Sequence, residues 1–255
     1  MTTKKNKKKL RVDELLVEKK FCSSKKEASA LVYEGKVYTS NRKILNPSET
    51  LSPDDFIGIK GVTKIFVSRA GEKLDSAIKA LHLEQAFTDK VVLDIGSSTG
   101  GFTDCVLGYG AKTVIALDVG TNQLVWELRN NNKVISVEQT HIKDFNPVSY
   151  PEIDFVVADI SFNSLAKLSS PIIEVSKKKD LKLLLLVKPQ FELPKEMVSE
   201  KGLVIKKEYQ LAATEKVRKS IEEKGFCCLG TVDSLVKGKT GNQETFLYFT
   251  RKDPN

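Results

Sequence analysis

Histidine and cysteine are scarce, with two and four copies in 255 residues. Cys22, Cys105, Cys227 and Cys228 show no CxxC spacing, and His82 and His141 lie far from them in the sequence. A zinc site needs several nitrogen or sulfur ligands at close spacing, so no metal is expected. Long apolar runs are also missing. The longest, near Leu183 to Val187, falls far below the roughly 20 residues of a membrane helix. Residues 1 to 9 are basic and polar with no apolar stretch behind them, so no secretory signal is expected. The expectation is a cytoplasmic protein with reduced thiols. Glycine and proline are modest at 15 and 8, and with 40% hydrophobic residues the chain can build a packed core rather than a fibrous or disordered one.

What the chain has in excess is positive charge, a formal +8, and it is unevenly placed. Residues 1 to 43 hold 13 Lys/Arg against 5 Asp/Glu, and the remainder balances at 28 against 28. A basic end on a neutral body is the electrostatic footprint of a polyanion binder, because phosphate neutralisation with counterion release supplies most non-specific nucleic-acid affinity. The length suits two domains. Residues 1–9 read as a basic disordered tail, 10–60 as a small module, 61–67 as a linker and 68–255 as a larger domain.

In the small module, Val12, Leu15, Leu16 and Lys19 mark a short helix with one apolar face. Ser24-Lys25-Lys26-Glu27 reads as a capping box opening a second helix, with Ala28, Leu31 and Val32 inward and Gly35 as its stop. Strands follow at Lys36 to Thr39, at a return beginning with Ile44 and Leu45, and at Phe56 to Lys60 after Pro53-Asp54-Asp55. Arg11-Val12-Asp13, Leu15-Leu16, Ser23-Ser24-Lys25, Ala28, Gly35-Lys36-Val37 and Pro53-Asp54 resemble the α+β RNA-binding domain first recognised in ribosomal protein S-four. Arg11, Lys25, Lys26, Lys36, Arg42 and Lys43 are the candidate RNA contacts, suited to backbone phosphates and RNA shape more than to base edges.

Beyond the linker, strands and helices alternate. Ala70, Leu74, Ala77, Ile78 and Leu81 form one helix face. Strands are expected at Val91–Ile95, Thr113–Leu117, Val134–Val137, Phe155–Ala158 and Leu181–Val187. The helical stretches are 101–107, 124–129, 164–176 and 207–224. Such repetition builds a parallel sheet covered on both faces, an α/β Rossmann-like domain. Phe226–Val232 and Glu244–Thr250 then close it as an antiparallel pair at one edge.

The strand Val91 to Ile95 runs into Gly96-Ser97-Ser98-Thr99-Gly100-Gly101, and a helix opens at Gly101. Small residues let backbone amides approach a ligand at a helix N-terminus. Asp118 ends the next strand about 20 residues on, where the ribose of a bound nucleoside is usually held. Together they favour an adenosine-bearing cofactor, with Asp94, Gly96, Ser97, Ser98, Thr99, Gly100, Asp118 and Asp159 as its candidate contacts. Three competing motifs fit less well. Gly96 to Gly100 spells GxSxG, but a hydrolase needs a late histidine, and none follows His141. A dinucleotide fingerprint would need glycine where Ser98 stands. Lys237-Gly238-Lys239-Thr240 has a phosphate-loop ending, but Asp233 replaces the earlier glycine and no helix follows.

In an open α/β sheet the crevice lies beyond the carboxyl ends of the parallel strands. Asp159 and Lys188 follow two such strands. Glu244 precedes the antiparallel last strand, and Lys73 lies near the start of a helix antiparallel to the first strand, so four charges converge on one rim. The motifs Ser68-Arg69, Lys73-Leu74, Asp94, Gly96 to Thr103, Asp118-Val119-Gly120, Gln123-Leu124, Asp159-Ile160-Ser161-Phe162, Lys188-Pro189-Gln190-Phe191-Glu192 and Gly241-Asn242 with Glu244 resemble the TlyA family over nearly the whole chain. The resemblance implies 2′-O-methylation of cytidine in ribosomal RNA with S-adenosylmethionine as cofactor. It also implies a Lys-Asp-Lys-Glu tetrad, related to that of the FtsJ enzymes, falling on Lys73, Asp159, Lys188 and Glu244.

The tetrad suits an in-line displacement that needs a deprotonated ribose oxygen. Lys188 is the expected base, with a second cation and desolvation lowering its proton affinity. Phe162 either stacks on the target base or packs under its loop. The family also carries the name haemolysin, but lysis by insertion would need an apolar or strongly amphipathic segment that the chain lacks. An RNA-binding protein with a vestigial enzyme domain is the remaining alternative.

Overall fold

The computed structural model describes residues 9–19, 21–22, 24–39, 42–53, 55, 57–59, 66–238 and 240–252. The basic tail up to Lys8, linker residues 61–65, and Ser23, Ser40, Asn41, Asp54, Phe56, Lys60 and Lys239 lie outside them.

Burial of Val12, Leu15 and Leu16 against Ala28 and Val32 drives the first two helices together, α1 (Val12–Glu18) and α2 (Lys25–Tyr33). Ser24 caps α2 as expected: the Glu27 N–H donates to Ser24 Oγ at 3.2 Å. The stop at Gly35 also holds, with φ +66. Four two-residue strands flank the helices: β1 (Leu10–Arg11), β2 (Val37–Tyr38), β3 (Thr50–Leu51) and β4 (Gly58–Ile59). β1 pairs with β3 and β2 with β4, both antiparallel. The return expected at Ile44–Leu45 is not a strand. Only an isolated bridge joins Tyr38 to Lys43, and Ile44 instead buries its side chain in the module core.

The larger unit begins with α3 (Arg69–Ala80) and continues through β5 (Val91–Ile95), α4 (Gly101–Gly108), β6 (Thr113–Leu117), α5 (Trp126–Arg129), β7 (Val134–Val137), β8 (Phe155–Ala158), α6 (Ser169–Ile173), β9 (Lys182–Val187), α7 (Pro189–Glu192), α8 (Lys207–Glu222), β10 (Phe226–Asp233) and β11 (Thr245–Arg251). The strands form one sheet in the order β10-β11-β9-β8-β5-β6-β7. β7, β6, β5, β8 and β9 are mutually parallel, and β11 runs antiparallel to β9. Their near-continuous apolar runs are those of strands buried on both faces. Leu93, Ile95, Leu183 and Leu185 serve one core and Val92, Val114, Leu184 and Leu186 the other.

Two helices are shorter than their apolar patterns suggest. The 164–176 stretch becomes a 3-10 turn over Ala166–Leu168 followed by the five-residue α6, because Pro171 has no N–H to donate and fits only in a first helical turn. The 124–129 stretch starts at Trp126, because Val125 is extended (φ −60, ψ 148) and serves as the N-cap, its amide donating to the Thr99 carbonyl.

Candidate active site

The chain order reverses between β5 and β8, and a crevice opens there beyond their carboxyl ends. Parallel register places Ile95 beside Ala158 and beside Leu117, so Gly96, Asp159 and Asp118 leave the sheet at one rim. Antiparallel register places Thr245 opposite Val187, which brings Glu244 next to Lys188. Ser68 caps α3 through the Ala70 N–H and sets Lys73 one turn inside the helix.

A cavity of about 560 Å³ fills this crevice, within the roughly 300–1,000 Å³ of small-molecule sites. All four tetrad residues line it, together with Gly96, Ser97, Ser98, Thr99 and Gly101. They form two ion pairs. Lys73 Nζ lies 2.6 Å from Glu244 Oε2, both side chains almost fully buried. Lys188 Nζ lies 2.5 Å from Asp159 Oδ1 in a charge contact too poorly angled for a hydrogen bond; its hydrogen bond goes to Ser161 Oγ at 2.8 Å.

Asp94 lies beneath the turn, fully buried on the α3/α4 face of the sheet. One oxygen accepts from the Thr103 hydroxyl at 2.7 Å, and Oδ1 has no hydrogen-bond partner among the described residues. Burial pushes its carboxyl up to about 7; the Thr103 hydroxyl opposes that, while the negative charges of Asp159 and Asp118 add to it.

The glycines are required for a different reason than ligand approach. A Cβ on Gly96 would sit 2.9 Å from the Asp159 carbonyl, and one on Gly101 only 2.2 Å from Ser68 Oγ. Gly100 has φ +96 and abuts Leu124 and Leu128. These positions let the chain close upon itself, with the amides of Gly96 and Ser97 donating to the Leu117 carbonyl and that of Gly100 to the Ser97 carbonyl, while Ser97, Ser98 and Thr99 line the cavity. Asp118 is not among the residues lining the cavity; its oxygens accept from the amides of Ser98 at 2.8 Å and Gly120 at 2.7 Å. It braces the turn, and each oxygen keeps a second lone pair free to accept a hydroxyl.

S-adenosylmethionine carries a carboxylate, an ammonium, a sulfonium and an adenosine. The N-terminus of α4, with Ser97, Ser98 and Thr99 at the cavity wall, suits the carboxylate. Asp159 at the cavity wall supplies a carboxylate toward the cationic groups, and the buried Asp94 Oδ1 below it has no hydrogen-bond partner among the described residues. The residues present therefore fit the group.

Phe162 projects from the loop after β8 with 88% of its surface exposed and φ +67, a conformation rare for a bulky residue and typical of functional sites. Its ring lies 5.5 Å from that of Phe191, and this exposure decides against burial under its own loop. Of the other candidate RNA residues, Arg11 pairs with Asp13, Lys25 with Glu14, Lys36 with Glu34 and Arg42 with Glu49. Among the described residues, Lys26 and Lys43 have no ion-pair partner. Exposed pairs of this kind are worth at most about 1 kcal/mol and exchange readily for phosphate.

Lys19 and Asp55 of the small module also line the cavity, and the Tyr38 hydroxyl bonds to Glu127 of α5. Neither link has a signature in the sequence. Ser161, Gln190 and Phe191 line it too, and all three lie inside the motifs that flag Asp159 and Lys188.

A family model described as FtsJ-like methyltransferase matches residues 66–251, and one described as S4 domain matches residues 10–57. The 16S/23S rRNA (cytidine-2′-O)-methyltransferase TlyA of Mycobacterium tuberculosis is 35% identical over 242 residues, covering 93% of this chain and 88% of that protein. Hemolysin A of Brachyspira hyodysenteriae is 36% identical over 242 residues, covering 94% and 99%. The solved structure of a hemolysin-named protein from Streptococcus thermophilus superposes with a TM-score of 0.74 at 33% identity, covering 96% of this chain and 89% of that one. Among the described residues no helix is long and apolar enough to cross a membrane.

Proposed function

The chain belongs to the FtsJ-like methyltransferase family, and from that premise we propose that it methylates the ribose 2′-hydroxyl of cytidine in ribosomal RNA. The observation that carries this reading is the pair of ion pairs, Lys73 with Glu244 and Lys188 with Asp159, at the mouth of a glycine-turn cavity. The curated TlyA relatives, named for this reaction, support the substrate class. The small module supplies the RNA grip, so the working partner is the ribosome or a ribosomal subunit, and the compartment is the cytoplasm.

S-adenosylmethionine supplies, when bound, an electrophilic methyl group. Gly96, Ser97, Ser98, Thr99 and Gly100 would hold it, with Asp94 beneath them, Asp118 bracing the turn and Asp159 at the cavity wall. Lys188 takes the proton of the ribose hydroxyl as that oxygen attacks. Lys188 Nζ, fixed between Asp159 and Ser161, is the amine placed at the rim to accept that proton. Asp159 and Glu244 hold the two lysines in place, and Phe162 offers a face for the nucleotide base. No covalent enzyme intermediate is needed, and among the described residues that line the site there is no cysteine or histidine.

The test is mass-spectrometric mapping of ribosomal nucleosides from cells lacking the protein, before and after incubation with it and S-adenosylmethionine. A new 2′-O-methylcytidine is expected. Its absence from both subunits defeats the reading.

A further inference from the structure

Glu192 ends α7, four residues after Lys188, and takes no part in the tetrad. It is nevertheless 3% exposed. Its Oε2 accepts from the Ser164 hydroxyl at 2.5 Å and its Oε1 from the Leu165 N–H at 2.6 Å, and the Ala166 N–H adds a further bond to the carboxylate. Its own backbone carbonyl accepts from Lys216 Nζ on α8. A buried carboxylate is costly unless several donors meet it, and an apolar side chain would fill this space at no such cost. What the carboxylate adds is direction. It joins the segment after β9, which begins with Lys188, to the segment after β8, which begins with Asp159.

The segment 159–165 is consequently held at both ends. At its start Lys188 meets Asp159 and Ser161, and at its end Glu192 meets Ser164 and Leu165. Between the two anchors stands Phe162, exposed and left-handed, a conformation that persists only where the surroundings over-determine it.

We propose that Glu192 is a positioning residue, locking the two crevice loops together so that Ser161 and Phe162 present the target nucleotide to Lys188. The proposal rests on the methyl-transfer reading above. Glu192 is not itself in the cavity lining, and its side chain bonds to Ser164 and Leu165 rather than to the glycine turn, so cofactor binding is spared when it is lost.

Steady-state kinetics on ribosomal subunits, with calorimetry of S-adenosylmethionine binding, tests it. Glu192→Ala raises KM for the RNA substrate about tenfold and lowers kcat less, with cofactor affinity within about twofold of wild type. Glu192→Gln accepts from the Leu165 N–H through its oxygen and donates to Ser164 Oγ through its amide, and it restores KM to within about threefold. Should Glu192→Ala not fold, Ser164→Ala removes one bond of the same anchor and shows a smaller rise in KM of the same kind. An unchanged KM, an equal loss of cofactor affinity, or no rescue by glutamine overturns the proposal. Wild-type protein that methylates no ribosomal RNA overturns the functional reading and this inference together.

Discussion

Lys188 has two neighbours at one nitrogen: Asp159 Oδ1 lies 2.5 Å away, and Ser161 Oγ accepts its hydrogen bond. Removing a general base usually costs roughly 10²- to 10⁴-fold in rate, so Lys188→Ala should lower single-turnover methylation by about two orders of magnitude or more while ribosomal subunits still bind. Near-normal turnover would remove Lys188 from the chemistry. Asp94 makes a different forecast. Its folded value of about 7 stands above the ordinary 3.8, so the folded chain binds this proton more tightly than the unfolded one. Its contribution to stability is most favourable below about pH 4 and is lost as pH rises toward about 7. Asp94→Asn cannot ionise. Urea unfolding from pH 4 to pH 8 should show the variant gaining on wild type by roughly 3–4 kcal/mol across that range, and a constant difference would mean that Asp94 does not titrate there.

Elements explain why so small a side chain matters at Gly101. α3 and α4 meet at their first turns, where a Cβ on Gly71 would press within 2.9 Å of the Gly101 carbonyl and one on Gly101 within 2.2 Å of Ser68 Oγ. That approach places Lys73 and the glycine turn on opposite walls of one cavity. Gly101→Ala should therefore cost about 1–3 kcal/mol by overpacking and lower activity with it, as read by urea unfolding and single-turnover rate. Gly108, seven residues on in the same helix, has nothing within 4 Å of its would-be Cβ. Gly108→Ala should be neutral or stabilising by up to about 1 kcal/mol. Equal effects at both positions would argue against the packing account. The strands were the most legible elements, with β5, β6, β7 and β8 ending where their apolar runs end. The helices were less so, because Pro171 and the extended backbone at Val125 cut short two patterns that periodicity alone extends.

At the scale of the whole molecule, a basic module stands against a charge-balanced catalytic body, and the cavity between them takes residues from both. Lys26 and Lys43 are the two candidate RNA contacts with no ion-pair partner among the described residues, so charge reversal there breaks no bridge. Lys26→Glu and Lys43→Glu should each weaken ribosomal RNA binding and reduce the log–log salt slope by about one, leaving cofactor affinity unchanged. An unaltered slope would place the RNA elsewhere. The residue sequence by itself determined the parallel sheet, the glycine turn and the membership of the rim. Strand ends follow from hydrophobic runs, and the residue after a parallel strand must fall at the crevice. Only the tertiary structure decided the pairings across that rim. Lys73 and Glu244 are 171 residues apart and meet because β11 registers Thr245 against Val187. It also decided that the glycines serve chain against chain, that Asp118 braces a turn, and that Glu192 ties two loops, since these depend on side-chain direction and close approach, which no local pattern encodes.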